Sequence, residues 1–181
     1  MTIPPGSRNI VHLHVSRTAG TSIQRVLNDG TRNYYHVEGR MWDLLQAREI
    51  DAGPAFTFTV VRHPLDRAMS CYGYTQNGVP ESERLDIREW FMQRLQNRMN
   101  PIAQGTPGEI DLIEPQVQWL SGTLALCNRV YRYERLGALG LDLGQRQRTS
   151  HPHWATLDQN LLDLMVPFYR IDFDTFGYEL P

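Results

Sequence analysis

Two stretches of this 181-residue chain carry residues whose types and spacing suit the binding of a phosphate or sulfate. In the first, Ser16 to Ser22 (SRTAGTS), a cation, a glycine and several hydroxyls lie between an apolar run, Ile10, Val11, Leu13 and Val15, and the helical spacing of Ile23, Val26 and Leu27. A strand that turns through a glycine loop into a helix aims the unpaired N–H groups of the first helical turn, and the positive end of the helix dipole, at whatever the loop holds. The loop departs from a Walker A sequence, GxxxxGK[ST], which needs Lys where Thr21 stands and Gly where Val15 stands, so ordinary ATP chemistry is not expected. In the second stretch, VVRHPLDRAMSCYGY (60–74), Arg62 ends an apolar strand and Pro64 opens a helix. His63, Asp66, Arg67 and Ser70 recur at three- and four-residue steps, so they share one helix face, whereas Leu65, Met69 and Tyr72 turn elsewhere. A guanidinium at a strand tip and a hydroxyl on the next helix could grip one phosphate. An Arg-Asp pair closing the helix start, with Ser70 merely packing, fits the same pattern.

The elements that must position these residues follow from periodicity. A short extended segment is expected at 33–39 (NYYHVEG), a helix from Met41 to Glu49, a buried strand at 56–61 (FTFTVV) and a helix from Pro64 to about Tyr74. A longer helix follows at 84–99, then a Gly- and Pro-containing surface loop (NPIAQGTPGEID) and a short helix from Glu114 to Leu120. A strand at about 128–133 leads into ERLGALGLDLG, read as a helix ended by glycine, and a polar loop at 145–154. The closing helix starts near Leu157-Asp158, carries Leu161, Leu162, Met165, Val166, Phe168 and Tyr169 at helical spacings, and ends in YRIDFDTFGYE, where Gly177 stops it. Strands alternating with helices, and no Asn-Gly type hairpin between two strands, imply an α/β fold with a parallel sheet.

A chain of this length buries roughly 70% of its unfolded surface, and residues 1–181 are read as a single domain. At 41% hydrophobic and 21% charged, with net charge -2, the composition is that of an ordinary globular chain and gives no reason to expect nucleic-acid binding. All 18 basic residues are arginine, planar forks suited to bidentate phosphate or sulfate contact, although a biased genome composition is the simpler cause. Cys71 and Cys127 form no disulfide framework, and neither they nor the histidines have metal-ligand spacing. With no apolar leader at the N-terminus and no run of membrane-spanning length, a cytoplasmic protein without a membrane anchor is expected. Most of the aromatics Trp42, Trp90, Trp119, Trp154 and Tyr133 are read as core or rim packing.

Taken together, the motifs resemble those of sulfotransferases that use 3′-phosphoadenosine 5′-phosphosulfate (PAPS). IVHLHVSRTAGTS looks like their 5′-phosphosulfate loop, usually FIHIPKTAGTS, and FTFTVVRHPLDRAMSCYGY is similar to their 3′-phosphate motif, usually VRNPxDRxxSxY. PQVQWL (115–120), VYRYERL (130–136) and FYRIDFDTFGYE (168–179) extend the likeness in the same order along nearly the whole chain, closest to the carbohydrate-acting, often Golgi, members. The resemblance implies a three-layer P-loop NTPase-like fold with a central, mostly parallel sheet, and transfer of a sulfuryl group from PAPS to a hydroxyl or amine of a carbohydrate or other small acceptor. The product nucleotide is adenosine 3′,5′-bisphosphate (PAP), and no metal is required. By position, Arg17, Thr18, Ala19, Gly20, Thr21 and Ser22 would hold the 5′-phosphosulfate, Arg62 and Ser70 the 3′-phosphate, and Arg148 and Ser150 the nucleotide edge. His36 falls where several members place a histidine beside the acceptor, and would be the base, with Glu38 the second choice.

Two departures stand out. Arg17 replaces the usual lysine, keeping charge but losing a compact point donor, and Ser16 replaces proline. A member that binds PAPS or PAP without transferring sulfate is therefore a second reading, and a small-molecule P-loop kinase a third, opposed by the missing Walker lysine. Acceptor identity and oligomeric state are not readable.

Overall fold

The computed structural model describes residues 2–4, 6–38, 55–99, 110–144 and 151–181. The expected helix from Met41 to Glu49, with Trp42, and the candidate residues Arg148 and Ser150 lie outside the described residues. The chain groups into two compact units, Met1–His63 with Gln116–Gln147, and Pro64–Pro115 with Arg148–Pro181.

The first unit is built on four parallel strands, β1 (Asn9–His14), β2 (Asn33–Glu38), β3 (Phe56–Val61) and β4 (Arg129–Arg132), in the order β2-β1-β3-β4. This is the α/β sheet expected from alternating elements. β1 and β3 are largely buried on both faces because both are interior, and the register sets Ile10 opposite Tyr34 and Phe56, and His12 opposite His36 and Phe58. The amphipathic α1 (Gly20–Leu27) turns Ile23 and Leu27 onto a core formed by Ile10, Phe58, Val60, Tyr131, Leu136 and Leu139. The short helix Gln116–Trp119, α4 in chain order, also belongs to this unit. ERLGALG does not form the expected α-helix. Tyr133–Leu139 is a tighter 3-10 segment, kinked at Arg135 and closed by Gly140 at φ 70, as two glycines in seven residues disfavour a regular helix.

In the second unit α2 (Pro64–Gln76), α3 (Ile87–Met99), α5 (Gln159–Phe168) and α6 (Arg170–Phe176) enclose Leu65, Ala68, Cys71, Trp90, Phe91, Ile113, Leu161, Met165, Tyr169 and Phe173. Asp86 and Glu89 close a capping box at the start of α3, each accepting from the other's backbone N–H, which is why the helix begins later than residue 84. The single closing helix expected from spacing is two helices. Pro167 removes a donor from the last turn of α5, Tyr169 leaves helical geometry at φ -95, ψ 9, and α6 restarts and ends at Gly177 with φ 63.

Candidate functional site

Because β2 lies on one side of β1 and β3 on the other, the chain reverses its direction of travel across the sheet between β1 and β3. In open parallel sheets the carboxyl edge at such a reversal is where ligands bind. Both stretches singled out by residue type open there: Leu13 pairs with Thr59, so the β1–α1 loop and Arg62 leave adjacent strands at the same edge.

The loop is conformationally unusual. Arg17 (φ 67) and Ala19 (φ 70) are the only non-glycine residues with positive φ among the described residues, and Thr18 between them is buried. Left-handed residues are a feature of the turns whose backbone N–H groups bind anions, and left-handed non-glycine residues concentrate at functional sites. The Thr18 hydroxyl is turned inward and donates to the Val15 carbonyl at 2.6 Å, so its side chain holds the loop and only its backbone is placed for a ligand. No side chain caps α1; Ala19 occupies the cap position and accepts from Ile23 N–H through its carbonyl, leaving the first-turn amides of Gly20, Thr21 and Ser22 without a capping partner. Thr21 is exposed and Ser22 half-buried. Gly20 is buried beneath the His14 imidazole, with which any Cβ at that position would overlap.

Arg62, only 8% exposed, is fixed by side chains far along the sequence. Gln116 grips its backbone twice, accepting from its N–H and donating to its carbonyl, both at 2.8 Å. The His63 N–H donates to Glu134 at 2.8 Å, and the guanidinium lies 4.4 Å from the centre of the Tyr133 ring. Tyr133 is therefore a support for the cation. Gln116 and Glu134 were not anticipated as parts of the site; they lie within the PQVQWL and VYRYERL matches, but nothing local reveals that they reach back to residues 62 and 63.

Histidines gather on one face of β1 and β2. The ring centres of His12, His14 and His36 are 4.6 to 5.7 Å apart. Tyr34 lies between His12 and His36, its hydroxyl 2.9 Å from one Nδ1 and 3.1 Å from the other. His12 is fully buried and stacked on Phe58, and that burial, followed by the neighbouring His14 and His36, holds its pKa well below the ordinary 6.5. His14 is half-buried, and its carbonyl accepts from Trp119 Nε1 at 3.0 Å. Glu38 follows His36 by two residues and ends β2; its side chain lies outside what is described. His12 and Tyr34 were not anticipated, although alternation in HLH beside YYH was the available signal. Among the described residues no group of three or more His, Cys, Asp or Glu is placed to hold a metal ion.

In the second unit, Ser70 on α2 is 3% exposed and Arg67 fully buried, its Nη1 donating to the Glu114 carbonyl at 2.8 Å. Pro64, Leu65, Ala68, Met69 and Cys71 are buried too, so this half of α2 shows no division into polar and apolar faces. His153 is exposed and accepts from Ala155 N–H, capping the short turn Trp154–Thr156, and His151 sits against the Pro152 carbonyl. Trp90 and Trp119 are core residues as expected. No helix among the described residues is long and apolar enough to cross a membrane. Compared with family models, curated proteins and solved structures, the chain finds no match.

Proposed function

We propose that this chain is a PAPS-dependent sulfotransferase on a P-loop-like fold, moving a sulfuryl group to a hydroxyl or amine of a carbohydrate or other small acceptor. The observation that carries the reading is the meeting, at the reversal point of the sheet, of a capless left-handed loop with a guanidinium on the adjacent strand. The ordered motifs along the chain supply the identity of the donor. In this reading the amides of residues 17 to 22 bind the 5′-phosphosulfate and Arg62 the 3′-phosphate. Ser70 retains the role its motif position implies.

In the reaction the acceptor oxygen forms a bond to sulfur as the bond from sulfur to the bridging phosphate oxygen breaks. Charge grows on that oxygen, and fixed N–H donors with the Arg17 cation offset it. Arginine holds its proton throughout, so it stabilises by charge and hydrogen bonding and not by proton transfer. The acceptor proton leaves toward a group at the end of β2, where His36 and Glu38 are the candidates.

Calorimetry with PAP against ADP tests the donor class. PAP is expected to bind at least about tenfold more tightly, and equal weak affinity for both overturns the reading. The exchange of lysine for Arg17, in a backbone conformation of positive φ, supports the second reading of a PAP-binding module without turnover. Labelled PAPS offered with glycans and phenols separates the two, and Arg17→Lys raises turnover if arginine is the handicap.

A further inference from the structure

A tyrosine hydroxyl has one hydrogen to give, so of two imidazole nitrogens flanking it at most one can accept and the other must donate, and the hydroxyl's own hydrogen is satisfied only where one of them does accept. Tyr34 is in that position between His12 Nδ1 and His36 Nδ1. The choice is decided at His12. That ring is fully buried and lies parallel to Phe58, with centres 4.6 Å apart, and its Nε2 meets no hydrogen-bond partner. Being neutral, it has one N–H. Placed on Nε2, that N–H would be a buried donor with no acceptor; placed on Nδ1, it is satisfied by Tyr34.

We propose that His12 and Tyr34 form a hydrogen-bond chain, His12 Nδ1–H to Tyr34 Oη–H to His36 Nδ1, which fixes neutral His36 with its proton on Nε2. In this arrangement His36 presents a hydrogen-bond donor at Nε2, suited to an anionic oxygen, rather than a lone pair suited to taking a proton. Reversing the chain would free the His36 Nε2 lone pair only by moving the His12 proton to its unpartnered nitrogen. His12 and Tyr34 are thus positioning residues for His36. The consequence for catalysis rests on the sulfotransferase reading: His36 then steadies an oxygen of the sulfuryl group or acceptor, and the proton-accepting role passes to another group, with Glu38 next in line.

Nitrogen-15 NMR of the full chain with labelled histidine reads the tautomers directly. The expected result is opposite tautomers, Nδ1–H for His12 and Nε2–H for His36. Tyr34→Phe, which removes the hydroxyl but keeps the ring, is expected to return His12 to the Nε2–H form preferred by free imidazole side chains. Nε2–H on His12 or Nδ1–H on His36 in the unmodified protein overturns the proposal, as does an unchanged His12 tautomer in the folded variant. The measurement needs no nucleotide, so its failure is distinct from a failure of the PAP titration.

Discussion

The two corners at the carboxyl edge of the sheet are built in opposite ways. After β1, the chain itself makes the anion site, with two left-handed residues, an uncapped helix and a glycine under an imidazole. After β3, backbone is ordinary and the work falls to side chains, with Gln116 and Glu134 holding the main chain and Tyr133 supporting the guanidinium. A site made of backbone tolerates changes of side chain but not of conformation. A site made of side chains behaves in reverse.

The sharpest way to break that comparison is Gln116→Leu. It removes one hydrogen-bond partner from the buried N–H and one from the buried carbonyl of Arg62, and chemical denaturation should show a loss of about 3 kcal/mol, from two groups at about 1–3 kcal/mol each. A loss under about 0.5 kcal/mol would mean that water replaces the clamp without penalty. Next, Arg62→Ala should weaken PAP by about 2 kcal/mol, the scale of a charge-assisted bidentate contact, with a smaller effect on fold stability. If titration shows less than about 0.5 kcal/mol, the 3′-phosphate is held elsewhere.

The imidazoles beside the first corner give a pH test. Because the folded state holds the His12 pKa below 6.5, the unfolded chain binds more protons between the two values. Stability is therefore complete above about pH 6.5 and falls on acidification, by up to about 1.4 kcal/mol per pH unit for this one group, until the folded pKa is reached. Thermal melts from pH 8 to 5 should show that decline, and His12→Phe should flatten it; an equal slope in the variant would assign the decline to other groups. The smallest expected effect is Ala19→Gly. Relief of left-handed strain at φ 70 outweighs glycine's added freedom in the unfolded chain by roughly 0.5 kcal/mol, visible as a slightly raised denaturation midpoint. Destabilisation by that exchange would show that the loop bears no strain.

This contrast also explains what could be read from residues alone. The β1–α1 corner was legible because a strand, a turn and a helix within about twenty residues write their periods locally, although α1 begins at Gly20, one residue before the Thr21-Ser22 pair that marks a helix start by residue type. The Gln116 and Glu134 contacts span 54 and 71 residues, and no local period records them. Helix existence at 157–176 was legible, whereas the break at Tyr169 was not, because apolar spacing continues across it and only Pro167 hints at the interruption. His36 was recognisable as a candidate, but its partners depend on the pairing of β1 with β2, which sets His12 directly opposite it.

The seating of Arg62 has a thermodynamic consequence. A guanidinium resting on an aromatic ring, its main chain gripped at both polar atoms, has already surrendered much of its rotational freedom before any ligand arrives. Capture of an anion there freezes little that was moving, so the association keeps a larger share of its gross attraction than it would at a loosely tethered cation.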